Sequence, residues 1–418
     1  MIYFKHFYPA LIWALLSFSA TFLIPGGTSI AFAQGKGETL RPEVGKPLQA
    51  AESLMKAKKY QEAAAKVREA ENVDGKTAYE SSVIERMRGS IAAAGGDAAT
   101  AIKSFETSIA GGRLPAADQL KMVEALAGMY YRANNYGKAA QWLSRYLKEG
   151  GTDPQMRTLL LQSYYLNDDC ASVSRELQGE LAADEKAGRA PSEERLQLLA
   201  NCYLKQKDNA GYGAALEKLV TYYPKKEYWL DLINRVQRKP GYADRLSLDI
   251  YRLKLATGNL TAANDYMEMA QLALQADYPA EAKKVIDQGY SSKALGTGSD
   301  AARQKRLQDL ALKQLADAQK TLAQSEADAL AAKDGNELVN VGFAYVNNGQ
   351  ADKGLALMEQ GIRKGGLKRP EDAKLHLGIA YLFAGQKTKA AQAFKNVQGT
   401  DGTAELARLW AIQARRAA

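Results

Sequence analysis

The sequence predicts an all-α protein, a right-handed solenoid of stacked antiparallel helix pairs. Three observations predict it. The first is a string that returns: Ala133-Asn134-Asn135-Tyr136-Gly137-Lys138-Ala139-Ala140-Gln141-Trp142-Leu143 reappears as Ala384-Gly385-Gln386-Lys387-Thr388-Lys389-Ala390-Ala391-Gln392-Ala393-Phe394, and more loosely from Asn348 to Met358. Such self-similarity marks a repeat architecture. The second is a spacing. Two small residues twelve apart, with a large apolar residue four later, recur along the chain. The third is composition, 46% hydrophobic and 25% charged over 418 residues. It is that of a folded chain, and its abundant Ala favours helix.

The N-terminus reads as a targeting segment, 1–33. Lys5 and His6 precede an uncharged apolar run from Phe7 to Ile24, and Ala31-Phe32-Ala33 is a small-x-small cleavage site. Gln34 would then begin the mature chain. An uncleaved anchor is the alternative, because the run is nearly long enough to span a bilayer. Position 34 is Gln, so the acylated Cys of a lipoprotein is absent. No later segment is apolar enough for a membrane span. The expected location is a periplasm, reached by export. Residues 34–43 read as a linker.

The repeats then run in order. Ala51, Ala63 and Val67 form the first set; Gly89, Ala101 and Phe105 the second; Ala127, Ala139 and Leu143 the third. Leu161, Val173 and Leu177 are a degenerate copy, and Ala200, Tyr212 and Leu216 a weak one. These fill residues 44–224. The stretch 225–262, with Trp229 and Pro240, departs from the pattern and reads as irregular repeats or a hinge. The pattern returns over 263–404 with Ala270, Ala282 and Ile286, then Gly342, Gly354 and Met358, then Gly378, Ala390 and Phe394. Between them, Ala301 to Lys333 is an unbroken helical pattern, with Ser299 or Asp300 placed to cap it. Residues 405–418 carry Leu406, Leu409, Trp410 and Ala414 at helical spacing and predict a closing helix. Its terminal Arg415 and Arg416 complement the helix dipole.

Composition also excludes functions. The formal charge is +9, but acids and bases are interleaved without long like-charge runs, unlike a nucleic-acid stripe. His376 is the only histidine outside the targeting segment, so a histidine-based catalytic triad would have to use it, and it sits inside a repeat helix. One His and two distant Cys make no zinc site. Cys170 and Cys202 are read either as a disulfide, which export permits, or as buried thiols. Asp74-Gly75-Lys76-Thr77 and Gly296-Thr297-Gly298 resemble phosphate loops, but no strand precedes either. No catalytic residue, cofactor or metal site is expected.

The residues Leu126-Ala127…Tyr130, Leu199-Ala200…Tyr203, Val341-Gly342…Tyr345 and Leu377-Gly378…Tyr381 carry an apolar–small–x–x–Tyr signature. In this the chain resembles the tetratricopeptide repeat family, over roughly residues 44–404 with a unit of about 34 residues. The resemblance implies a non-enzymatic protein that binds a peptide or protein partner on the concave side, which the first helix of each unit lines. The matching positions are Arg86, Tyr131, Arg132, Tyr165, Asn201 and Lys205, the candidate partner-binding residues. Farther on they are apolar: Met267, Val339, Phe343, Leu375, Ile379 and Phe383. Gln197 replaces the Lys of the family's carboxylate clamp, which argues against a C-terminal carboxylate ligand. Exported proteins of this kind accompany envelope machines, TonB-type transport first among those the resemblance implies. A cell-wall glycan enzyme on a helical solenoid and a structural spacer are the rival readings.

Overall fold

A computed structural model describes residues 39–416. The predicted targeting segment, its cleavage site and the first residues of the linker lie outside the described residues. All regular structure among the described residues is helical. The chain divides into two compact units at Lys186/Ala187.

Among the described residues the N-terminal unit holds four consecutive helix pairs: α1 (Pro42–Lys56) with α2 (Tyr60–Glu71), α3 (Ala78–Gly95) with α4 (Ala98–Ala110), α5 (Ala116–Arg132) with α6 (Tyr136–Lys148), and α7 (Pro154–Leu166) with α8 (Cys170–Lys186). Each pair also packs on the next. Helix starts follow local chemistry. Thr77 accepts from Glu80 N while Glu80 accepts from Thr77 N, a reciprocal cap that opens α3. The Gly75-Lys76-Thr77 string is therefore a helix start, with Lys76 Nζ donating to the carbonyls of Glu71 and Val73. Asp97, Asn135 and Asp153 cap α4, α6 and α7 with their side chains.

The C-terminal unit begins with α9 (Glu193–Lys205) against α10 (Asn209–Tyr222). The stretch 225–262 forms α11 (Lys226–Gln237), a 3-10 turn (Asp244–Leu246) and α12 (Ser247–Ala256). The boundary between units thus falls before this stretch, at Lys186/Ala187. Regular pairs resume with α13 (Ala263–Gln275) and α14 (Pro279–Ser291). The long α15 (Ala301–Ala331) is followed by α16 (Asn336–Asn347) with α17 (Ala351–Lys364), and α18 (Pro370–Phe383) with α19 (Lys387–Lys395). Asp300 stands at the N-cap of α15, but its side chain makes no capping bond. The last helix, α20 (Thr403–Arg416), packs on α19 and α18 and also on α10 and α12. It closes the unit rather than ending an open stack.

Every residue of the small–small–large sets is buried. The physical reason is visible at the glycines. A Cβ on Gly354 would lie 2.4 Å from the Gly342 carbonyl oxygen, and one on Gly378 2.4 Å from the Phe394 ring. Helix backbones approach that closely only where side chains are missing. Cys170 and Cys202 are buried thiols in different units.

Candidate partner-binding site

In the N-terminal unit the predicted positions fall on first helices: Arg86 on α3, Tyr131 and Arg132 on α5, Tyr165 on α7. Arg86, Tyr131 and Tyr165 are half-buried and Arg132 is exposed. Tyr131 Oη donates to Gln162 Oε1 at 3.3 Å, which joins α5 to α7 on one face. Tyr136 meets the Tyr131 ring edge-on at 5.4 Å, and burial holds the Tyr131 phenol above its ordinary range. Burial and the nearby Asp153 likewise raise the Glu124 carboxyl on α5. Arg86 Nε is shielded from solvent and finds no acceptor among the described residues. Together they make a surface of rigid aromatic rings and polar groups, the composition that dominates interface energetics.

Asn201 and Lys205 lie on α9 of the C-terminal unit, half-buried and exposed respectively. Gln197 is not a groove residue. It is 9% exposed and donates to Tyr228 Oη, which in turn donates to Glu193 Oε1 at 2.6 Å.

The apolar positions expected to line the groove farther on are core. Met267, Val339, Phe343, Leu375 and Ile379 are all buried, and only Phe383 is exposed. Phe343 shows why. Tyr278, His376 and Phe383 surround its ring at 5.1, 5.5 and 6.3 Å, and the Arg252 guanidinium lies 4.8 Å over it. An apolar stripe this long had to be covered, and the irregular α12 supplies part of the cover.

Arg252 belongs to a buried charge cluster that the repeat pattern did not reveal. Its Nε and Nη2 donate to Glu281 at 2.7 and 2.6 Å, and its Nη1 donates to Asp249 at 2.7 Å. His376 Nε2 sits 3.2 Å from Asp249 Oδ2. An ionised carboxylate only accepts, so that nitrogen carries the proton. Burial alone would raise the Asp249 carboxyl, but His376 and Arg252 outweigh it and hold the group at about 2. Burial works against the Arg252 charge, and Glu281 and Asp249 overcome it, so its pKa rises.

Asp249, Arg252 and His376 also form one wall of a cleft of about 1170 Å3 within the C-terminal unit. The middle of α15 also lines the cleft, where Gln314, Asp317, Thr321, Ser325 and Asp328 return at helical spacing. Gln304, Leu307, Ala311 and Ala329 are the buried residues of that helix, and Leu322 and Glu326 pack against α16 through Tyr345. The signal for this in the sequence was the long helix without small sites.

No protein-family model matches the chain, and a comparison with curated proteins finds no match. Solved structures do match. One is the TPR2AB-domain:pHSP90 complex of yeast Sti1, at 16% identity and TM-score 0.32, covering 64% of this chain and 98% of that one. Another is yeast Tom70, at 13% identity and TM-score 0.24, covering 90% of this chain and 96% of that one. Superpositions this loose carry no weight, and the fold is read from the helix pairs. The described helices form consecutive antiparallel pairs, an all-helical repeat arrangement. Gly342 and Gly354 meet across α16 and α17 at the twelve-residue spacing of the repeated sets. No helix among the described residues is long and apolar enough to cross a membrane.

Proposed function

We propose that the protein is a non-enzymatic scaffold of the bacterial periplasm. It would hold a peptide or protein partner on the first-helix face of its N-terminal unit. The observation that carries this reading is the contact between Tyr131 on α5 and Gln162 on α7. It puts equivalent positions of successive first helices on one surface, where half-buried aromatic and polar groups are fixed before a partner arrives. Such preorganisation limits the entropy lost on binding. Extended peptides suit a face of this kind, through hydrogen bonds from Arg, Tyr and Gln. Location and partner class rest on the leader-like N-terminus and the repeat resemblance. Among envelope machines, TonB-type transport is placed first.

The test is capture of partners from an envelope extract by the chain from Gln34 to Ala418. Two variants run beside it, Tyr131→Ala/Arg132→Ala and Asn201→Ala/Lys205→Ala. A partner lost with the first pair, at unchanged helicity, supports the face on α5. A partner retained by both variants removes the face from consideration.

A further inference from the structure

We propose a second, separate site: the cleft under α15 binds an extended, basic segment of a partner polypeptide. The shape points to a polymer. At about 1170 Å3 the cleft exceeds the usual small-molecule pocket of roughly 300–1,000 Å3. The lining stripe of α15 from Gln314 to Asp328 runs about 21 Å at 1.5 Å per residue, the length of roughly six extended residues. Gln314, Thr321 and Ser325 from α15, Gln275 from α13 and Asn340 from α16 supply amides and hydroxyls along the cleft. These pair with peptide N–H and C=O groups without regard to side chain.

Charge selects the side chains. The two arginines on the wall are already neutralised. Arg252 is held by Glu281 and Asp249, and Arg245 donates to Asp372 at 2.7 and 2.8 Å and to Asp401 at 2.7 Å. What remains facing the opening is Asp244, Asp277, Asp317, Asp328 and Glu337. All five are exposed; Asp317 pairs at the surface with Lys320, and Asp328 accepts from Gln324 Nε2 at 2.9 Å, which leaves its charge in place. In a chain of net charge +9 this is a local reversal of sign. It attracts Lys and Arg side chains and repels acidic ones. Leu272, Ala276, Leu322, Val341 and Ala344 also line the cleft and can pack against the aliphatic stems of Lys and Arg side chains, whose charged ends then reach the carboxylates.

The experiment uses the chain from Gln34 to Ala418 and two fluorescein-labelled peptides about eight residues long. One alternates Lys with Ser, and the other has Glu in place of Lys. A chitosan oligomer serves as competitor, since a cationic glycan is the other polymer such walls could hold. We expect saturable, salt-weakened binding of the Lys peptide and none of the Glu peptide. Asp317→Lys/Asp328→Lys, at exposed positions of α15, should weaken it about tenfold or more. Ala318→Trp, which fills the cleft and leaves the charge alone, should weaken it comparably. The Tyr131→Ala/Arg132→Ala variant should bind as the parent does, which separates this site from the face on α5. Equal binding of both peptides, insensitivity to both cleft variants, no binding of the Lys peptide, or preferential displacement by chitosan would each overturn the proposal.

Discussion

Arg252 grips Glu281 with two parallel hydrogen bonds of 2.7 and 2.6 Å, and the two side chains are 1% and 5% exposed. The fork geometry matches the carboxylate, and Asp249 takes a third donor of the same guanidinium. The cluster ties α12 to α14. With His376 it also ties α12 to α18, so the irregular helix is fastened to two regular pairs.

Removing the cation should therefore be costly. Arg252→Met leaves two buried carboxylates facing each other, and the expected loss is about 3–5 kcal/mol. The triple variant Asp249→Leu/Arg252→Met/Glu281→Leu should recover most of that loss, because no charge is left stranded. Urea unfolding of the chain from Gln34 to Ala418, which lacks Trp13, followed by the fluorescence of Trp229 and Trp410 in a Trp142→Phe background, reads the C-terminal unit. A single variant with the parent's midpoint would show that the cluster does not hold the unit together.

Acid should weaken the N-terminal unit through Glu80. The Arg41 side chain donates to its carboxylate at 3.0 Å, the Thr77 and Arg41 backbone N–H groups add to it, and together they lower Glu80 to about 2 against the cost of burial. A carboxylate depressed on folding contributes stability above its unfolded pKa and loses it as pH falls through the folded one. That window runs from about 4.5 down to about 2. The advantage of the parent over Glu80→Gln should be full at neutral pH and shrink as pH falls through this window. Urea midpoints by circular dichroism at several pH values test this, and a gap that stayed constant would count against it.

The glycines of the pairs differ sharply in what they tolerate. A Cβ at Gly354 meets the Gly342 carbonyl at 2.4 Å and Val346 at 2.6 Å, whereas one at Gly128 meets only the end of Arg132 at 3.5 Å. Gly354→Leu should therefore push α17 off α16 and cost about 3 kcal/mol or more. Gly128→Ala, in the middle of α5, should stabilise by about 0.5–1 kcal/mol through helix propensity. Thermal melts of the two single variants decide it. Equal effects would mean that close backbone approach does not set the register of the pairs.

These glycines also explain what the sequence could reveal. A contact between Gly342 and Gly354 is twelve residues long, and its cause is local, so a repeating spacing betrays it. Leu143, Met358 and Phe394 are legible for the same reason. The cleft is not local. His376 and Asp249 are 127 residues apart and Arg245 and Asp401 are 156 apart, so no spacing announces either contact. The burial of the C-terminal groove positions is not legible for a related reason. Position within a repeat shows which side of a helix a residue occupies, but not whether something covers that side. That Val339, Phe343, Leu375 and Ile379 are all apolar was the available sign of a cover. The same limit applied to Gln197, whose cover is Tyr228 on the irregular α11.

Arg245 offers the sharpest test of how α20 is held. Its guanidinium bridges Asp372 near the start of α18 and Asp401 just before α20. Asp401 is in turn fixed by Thr403, whose Oγ1 donates to it at 2.7 Å and whose N–H donates at 3.2 Å. Next to this bridge, Ala243 N donates to the Asp401 carbonyl at 3.0 Å. A Lys at 245 would keep the charge but lose the fork, because an ammonium cannot hold two carboxylates in a fixed plane. Arg245→Lys should therefore lose most of the stability that Arg245→Ala loses, about 1 kcal/mol for this partly exposed group. The urea midpoint read from Trp229 and Trp410 measures both variants. A Lys variant equal to the parent would reduce the bridge to simple charge attraction, and raised salt would then abolish the difference between parent and Ala variant.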